Sequence, residues 1–291
     1  MKEIFQTAAV VGAGQMGSGI AQCFAQSGVD VLLLDLDTNR VEAGLASISN
    51  SLERFVRKER ISAEDKTNTM NRIRGVTSYT ELEQADFVVE AATENEALKC
   101  EIFRTLDKTL RDDVILASNT SSISITRIAA ATNRPDKVIG MHFMNPVPIM
   151  KLVEIVRGLA TSDACFGQVN AAAQALGKTT VVSTDFPGFI VNRVLMPMLN
   201  EAFYALHEGI ASVKDIDVAM QLGTNQPMGP LTLADFIGLD TVLAILNVMH
   251  EGLGERYRPC PLLRQYVEAG FLGRKTGKGF YDYDDKGKPL S

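Results

Sequence analysis

The sequence predicts an α/β protein in two parts: a doubly wound parallel-sheet domain, then a mostly α-helical C-terminal domain. Three observations predict it. Short apolar runs of strand length alternate with helical patterns over the first half, a glycine-rich turn joins the first run to the first helix, and past Thr184 apolar residues keep helical spacing almost to the end. Strands that are apolar throughout, rather than at every second residue, belong to a sheet covered by helices on both faces, which is the parallel arrangement. At 291 residues the chain also exceeds one ordinary domain of roughly 100 to 200 residues.

The elements follow in order. Residues Thr7–Val11 form a β-prone run, 18–26 a helical pattern of small apolar residues, and 31–34 a second apolar run bounded by Asp30 and Asp35. That is a β-α-β unit. Apolar runs recur at 87–89, 114–117 and 138–143, with helix-like stretches such as 94–110 between them. From about 41 to 74 the composition turns polar and charged, which predicts an exposed helical hairpin inserted in the sheet domain. It is either a plain solvated helix pair or a holder of an anionic ligand. Pro187 and Gly188 interrupt the pattern, so the expected domains are 1–184 and 185–291, the second built on helices at 190–206 and 231–250.

Composition excludes several classes. With 29 basic and 35 acidic residues and a formal net charge of -6, the chain has no general attraction for a nucleic-acid backbone, although a local basic patch can hold one phosphorylated small molecule. No apolar stretch approaches the roughly 20 residues of a membrane helix, and the first residues lack the pattern of an export signal. A cytoplasmic protein with no membrane or nucleic-acid partner is expected. Cys23, Cys100, Cys165 and Cys260 form no CxxC pair and read as reduced thiols; no metal site is expected.

The turn Gly12-Ala13-Gly14-Gln15-Met16-Gly17 has the spacing of a dinucleotide-binding loop. Gly12 permits the tight turn, Gly14 lets backbone approach a pyrophosphate, and Gly17 allows close packing of helix on strand, while the helix N-terminus offers unpaired N–H groups to phosphate. Its context, strand before and helix after, makes this a Rossmann-type unit. Asp35, closing the second strand, can accept hydrogen bonds from both adenosine ribose hydroxyls. A 2′-phosphate would meet a like charge there, so the expected cofactor is NAD. The competing reading is turn chemistry alone.

Of three histidines, His207 and His250 fall on predicted helices, whereas His142 lies near the end of the strand 138–143, where ligands of open α/β sheets bind. If that run and the following 151–156 pair antiparallel about Pro148, His142 and Glu154 fall opposite each other, six residues on either side. A carboxylate opposite an imidazole fixes its tautomer and stabilises the imidazolium, as paired bases require. The segment Ser118-Asn119-Thr120-Ser121-Ser122 can contact a nicotinamide and a substrate oxygen, or simply cap a turn. Asn192 sits where the second domain begins.

Together VGAGQMGSGIA, ASNTSS, GMHFMNPVPIMKLVEIV, DFPGFIVNR and MGPLTLADFIGLD span nearly the whole chain. In these segments it closely resembles the L-3-hydroxyacyl-CoA dehydrogenase family, above all bacterial single-function members acting on 3-hydroxybutyryl-CoA. The resemblance implies His142 as general base, Glu154 as its partner, and Ser121 and Asn192 as hydrogen-bonding groups near the substrate oxygen. It implies Glu94, Lys99 and Asn119 around the nicotinamide, with Gly12, Gly14, Gln15, Met16, Gly17 and Asp35 holding the rest of the cofactor. Ser51 and Lys58 would approach coenzyme A, with Arg54 or Arg57 as other sources of charge, and Asn145 would join the substrate contacts. It further implies a homodimer formed through the helical domain and a step that fatty-acid metabolism, butyrate metabolism and aromatic-acid breakdown all need. Two rivals stand beside it: a dehydrogenase of a free hydroxy or sugar acid, and a non-catalytic NAD-binding structural protein.

Overall fold

In the computed structural model, which describes residues 4–290, the chain divides into two compact units between Phe186 and Pro187, two residues past the boundary expected from sequence. The first unit carries β1 (Thr7–Val11), α1 (Gln15–Gln26), β2 (Asp30–Leu34), α2 (Thr38–Arg57), α3 (Ala63–Asn71), β3 (Ile73–Val76), β4 (Phe87–Glu90), α4 (Glu96–Thr109), β5 (Ile115–Ser118), α5 (Ile125–Ala129), β6 (Val138–Phe143), β7 (Leu152–Arg157), α6 (Asp163–Ala175) and β8 (Thr179–Thr184). They form one sheet in the order β3-β2-β1-β4-β5-β6-β7-β8. Pairing is parallel throughout except between β6 and β7.

The strand order reverses between β1 and β4, and the carboxyl ends of these strands flank the crevice where open α/β sheets bind ligands. Why the strands sit there follows from their composition. Strands β4, β5 and β6 are buried along their whole length, and Val10, Phe24, Leu33, Phe87 and Ile139 join one core with α1 and α6 residues such as Ile20 and Val169. Burying a Val, Leu, Ile or Phe side chain stabilises by about 1.5–3 kcal/mol. A polar group at the end of such a strand is therefore held to within the play of its own rotamers.

The helix pair of the polar region is α2 and α3. Asp37 caps α2 through Arg40 N–H at 2.9 Å, and Ser62 with Asp65 forms a reciprocal capping box on α3. The pair stops at Asn71: Ile73–Val76 is a strand paired with β2, not the last turn of a hairpin reaching 74.

The second unit is helical: α7 (Val191–His207), α8 (Val213–Gly223), α9 (Pro230–Ile237), α10 (Leu239–Leu253) and α11 (Pro261–Glu268) surround a core including Leu199, Phe203, Leu231, Leu246 and Phe280. The single helix expected over 231–250 is two, bent by 97° at Gly238. Gly238 takes φ 101°, a conformation open to glycine, while the apolar residues on either side keep the spacing that made the segment read as continuous. Among the described residues no single helix is long and apolar enough to cross a membrane.

Candidate active site

The turn after β1 is shaped by contacts that only glycine allows. Gly12 takes φ 103°, its N–H donates to Leu34 O at 2.7 Å, and a Cβ on it would lie 2.7 Å from Ala91 O. A Cβ on Gly17 would lie 1.8 Å from Gly12 O. Gly14 differs: its φ is -68° and a Cβ would meet nothing within 4 Å, so the protein itself imposes no glycine there. What the missing side chain leaves is open backbone at the mouth of α1. That helix has no side-chain cap and no acidic residue in its first turn, so its terminal N–H groups and dipole face outward for an anion.

Asp35 follows β2 and is aimed back at this turn, its Oδ2 accepting from Ala13 N–H and its Oδ1 from Leu36 N–H, both at 2.7 Å. With Gly12, Gly14, Leu36, Arg40, Tyr79, Leu98 and Ile102 it lines a largely apolar cavity of ≈ 220 Å³. The uncapped helix end with open backbone at Gly14 fits pyrophosphate, the Asp35 carboxylate fits ribose hydroxyls, and the apolar slot beside it fits adenine. Arg40, which sequence reading passed over, stands 3.9 Å from Asp35 and 3.4 Å from Asp37, so the carboxylates neutralise the one cation nearest the ribose position.

At the other end of the crevice, β5 delivers Asn119. Its N–H donates to Glu90 O at 2.7 Å and its Oδ1 accepts from Phe143 N–H at 2.9 Å, tying together the ends of β4, β5 and β6. Glu94 Oε1 accepts from Thr120 Oγ1 at 2.6 Å and from the N–H groups of Ser121 and Ser122 at 2.9 and 3.1 Å. Lys99 is 1% exposed and bound to Glu90 at 2.6 Å, with Glu94 at 3.5 Å. Glu90 is the residue sequence reading missed. An acidic side chain ending an apolar run reads as a strand terminus entering solvent, and only a partner as deep as Lys99 reveals otherwise.

The antiparallel pairing of β6 with β7 sets His142 opposite Glu154, with Nδ1 and Oε2 2.7 Å apart. Glu154 is fully buried and His142 nearly so. Because a carboxylate oxygen accepts, the proton of the shared bond belongs on Nδ1, leaving Nε2 as the basic atom.

A second cavity of ≈ 150 Å³ is lined by Gln15, Ser18, Ser51, Arg54 and the loop 145–148. It brings Ser51 and Asn145 together with Arg54, whereas Lys58 is an exposed C-cap of α2 outside this lining. Asn192 belongs to the second unit, buried as the second residue of α7.

A Rossmann-type sheet with a dinucleotide cradle at its switch point and a buried His–Glu pair beyond a neighbouring strand defines a nicotinamide-dependent dehydrogenase. Comparison with known proteins narrows the class. The profile of "3-hydroxyacyl-CoA dehydrogenase, NAD binding domain" matches residues 7–186 and that of the corresponding C-terminal domain matches 188–283. A probable 3-hydroxybutyryl-CoA dehydrogenase of Bacillus subtilis is 56% identical over 95% of this chain and 97% of its own length, and a 3-hydroxybutyryl-CoA dehydrogenase of Bradyrhizobium diazoefficiens is 54% identical over 97% of both. The crystal structure of (S)-3-hydroxybutyryl-CoA dehydrogenase PaaH1 from Ralstonia eutropha superposes with a TM-score of 0.93 at 50% identity, covering 97% of this chain and all of the other. The chain belongs to the 3-hydroxyacyl-CoA dehydrogenase family and is an NAD-dependent oxidoreductase acting on 3-hydroxyacyl-CoA.

Proposed function

We propose that the substrate is a short-chain L-3-hydroxyacyl-CoA, 3-hydroxybutyryl-CoA above all, and that His142 and Glu154 are its proton-transfer pair. The observation that carries this reading is the buried 2.7 Å contact between His142 and Glu154 beyond the cofactor crevice. NAD⁺, when bound, supplies the acceptor for the hydride that leaves C3 of the substrate. Every other part of the reaction falls to side chains. His142 Nε2 takes the hydroxyl proton as the C3–O bond becomes a carbonyl, and Glu154 stabilises the imidazolium so formed. Gly12, Gly14, Gln15, Met16, Gly17 and Asp35 hold the pyrophosphate and ribose, and Glu94, Lys99 and Asn119 shape the nicotinamide end. Ser121 and Asn192 hydrogen-bond near the substrate oxygen.

The CoA moiety lies against α2. Ser51 and Asn145 line a cavity whose cation is Arg54, which makes Arg54 a stronger candidate than Lys58 for a phosphate contact. Homodimerisation through the helical unit is supported by exposed Val194 on α7 and Val218 and Leu222 on α8, and the enzyme is placed in the cytoplasm.

Consumption of NADH with acetoacetyl-CoA is the decisive assay, run beside oxidation of 3-hydroxybutyryl-CoA, free 3-hydroxybutyrate, gulonate and longer acyl-CoA esters. The short CoA esters should be preferred. Turnover of a free acid at a similar rate would overturn the substrate assignment, and NADH binding without turnover would leave a non-catalytic binding protein.

A further inference from the structure

Glu90 is fully buried at the carboxyl end of β4, beside Val11 of β1 on one side and Ser118 of β5 on the other. A carboxylate withdrawn from water is expensive unless its lone pairs are met. Here they are met by a loop N–H, a strand-end hydroxyl and an ammonium from α4. Oε1 accepts from the N–H of Ala92 and from Lys99 Nζ, both at 2.6 Å, and Oε2 accepts from Ser118 Oγ at 2.6 Å. Lys99 donates also to Ala92 O at 3.2 Å and pairs with Glu94, whose other oxygen holds Thr120, Ser121 and Ser122. The contacts close a circuit from Ser118 through Glu90, Lys99 and Glu94 to Ser122. Both ends of the loop after β5 thus hang on one ammonium group.

This circuit lies on the β4–β5 side of the switch point. The adenosine side, with the Gly12–Gly17 turn and Asp35 held by their own hydrogen bonds, is built mainly over β1 and β2, and the loop after β4 meets it only at the cavity edge through Ala91, Ala92 and Thr93. We propose that Glu90 is a positioning residue for the nicotinamide half of the cofactor, locking loop 91–94 to loop 118–122 through Lys99 and Ser118. Glu90 does not touch the reacting atoms; it holds the backbone that does. The inference rests on the NAD site described above.

The test separates the two halves of the ligand. Binding of NADH and of ADP-ribose, which lacks the nicotinamide, is measured for the unaltered chain, Glu90→Gln and Ser118→Ala, together with kcat and thermal stability. Loss of one charged hydrogen bond predicts about a tenfold weaker NADH complex in Glu90→Gln, with ADP-ribose changed by less than about twofold. Ser118→Ala, which leaves the Glu90–Lys99 pair intact, should show the same asymmetry at smaller size, and it carries the test if Glu90→Gln fails to fold. Equal losses for both ligands, or no loss for either, would overturn the proposal. Failure of ADP-ribose to bind the unaltered chain would instead count against the cofactor site itself.

Discussion

Both units of the molecule bury carboxylates, but they answer them differently. In the first unit Glu154 meets His142 and Glu90 meets Lys99, each partner a nitrogen base, and His142 and Glu90 sit toward the carboxyl ends of β6 and β4. In the second unit Asp217 and Asp235 are buried as well and, among the described residues, meet no cation within ion-pair distance. Asp217 accepts from the N–H groups of Leu231 and Thr232 and from Tyr281 Oη, and Asp235 from the N–H groups of Phe280 and Tyr281 and from Tyr283 Oη, at 2.8–3.0 Å. Glycines leave them room: a Cβ on Gly229 would lie 2.3 Å from Asp217 Cγ and one on Gly279 2.1 Å from Asp235 Oδ1. Burial and the Asp217 charge push the Tyr281 hydroxyl up to about 12, so it stays a donor across ordinary pH. A buried acid answered by a base is equipped to move a proton or steer a charge. One answered by backbone N–H and phenol groups fastens chain to chain, here the first turn of α9 and the C-terminal segment around Phe280.

The contrast is sharpest if the two kinds of site are broken separately. His142→Ala should lower kcat/KM by roughly 10²- to 10⁴-fold, the usual worth of a general base, while the NADH affinity of the folded protein stays near normal. Near-normal turnover would end the assignment. Asp235→Ala should do the reverse. It strands two buried N–H groups and a phenol, each costing about 1–3 kcal/mol, so denaturant unfolding should show at least about 3 kcal/mol less stability, with kcat per folded molecule retained. A large loss of kcat in fully folded Asp235→Ala would erase the distinction.

How far each site was legible in sequence follows the same division. The β-α-β unit, Asp35 and the His142–Glu154 register were open to reading because strand periodicity and a turn at Pro148 fix which residues face each other. Glu90 and the Asp217–Asp235 pair were not. Their partners lie 28 and 46 residues or more away in several cases, and their burial is decided by packing that no local period records. Lys99 in a helix full of charged residues looks like any solvated lysine until its ammonium is found beneath two loops. Gly238 did carry a signal, a glycine before Leu239-Asp240, which the continuous apolar spacing around it overrode.

Within the first unit, Asp35 separates holding from chemistry. Removing it by Asp35→Ala takes away the charge that repels a 2′-phosphate and leaves Arg40 with its Asp37 pair. A like-charge contact of several kcal/mol predicts that the preference for NAD over NADP falls on the order of 10²-fold. Comparison of kcat/KM for the two cofactors measures it, and unchanged discrimination would remove Asp35 from the ribose site.

The smallest expected effect concerns pH and the second unit alone. Burial, and then the Asp217 charge, raise the Asp235 carboxyl above its ordinary value of 3.8 despite the hydrogen bonds it accepts. The folded state therefore holds that proton more tightly than the unfolded chain. Stability from this source is fully present below the ordinary value and is lost as pH rises through the raised one. Carboxylates such as Asp65, lowered by the Ser62 N–H and hydroxyl, run the other way and gain stability over the acid range. The difference between the unaltered chain and Asp235→Asn isolates the buried group, since Asn cannot titrate there. The advantage of the unaltered chain in unfolding free energy should shrink from mildly acid to neutral pH, and a constant or growing advantage would mean that the hydrogen bonds from Phe280, Tyr281 and Tyr283 outweigh burial.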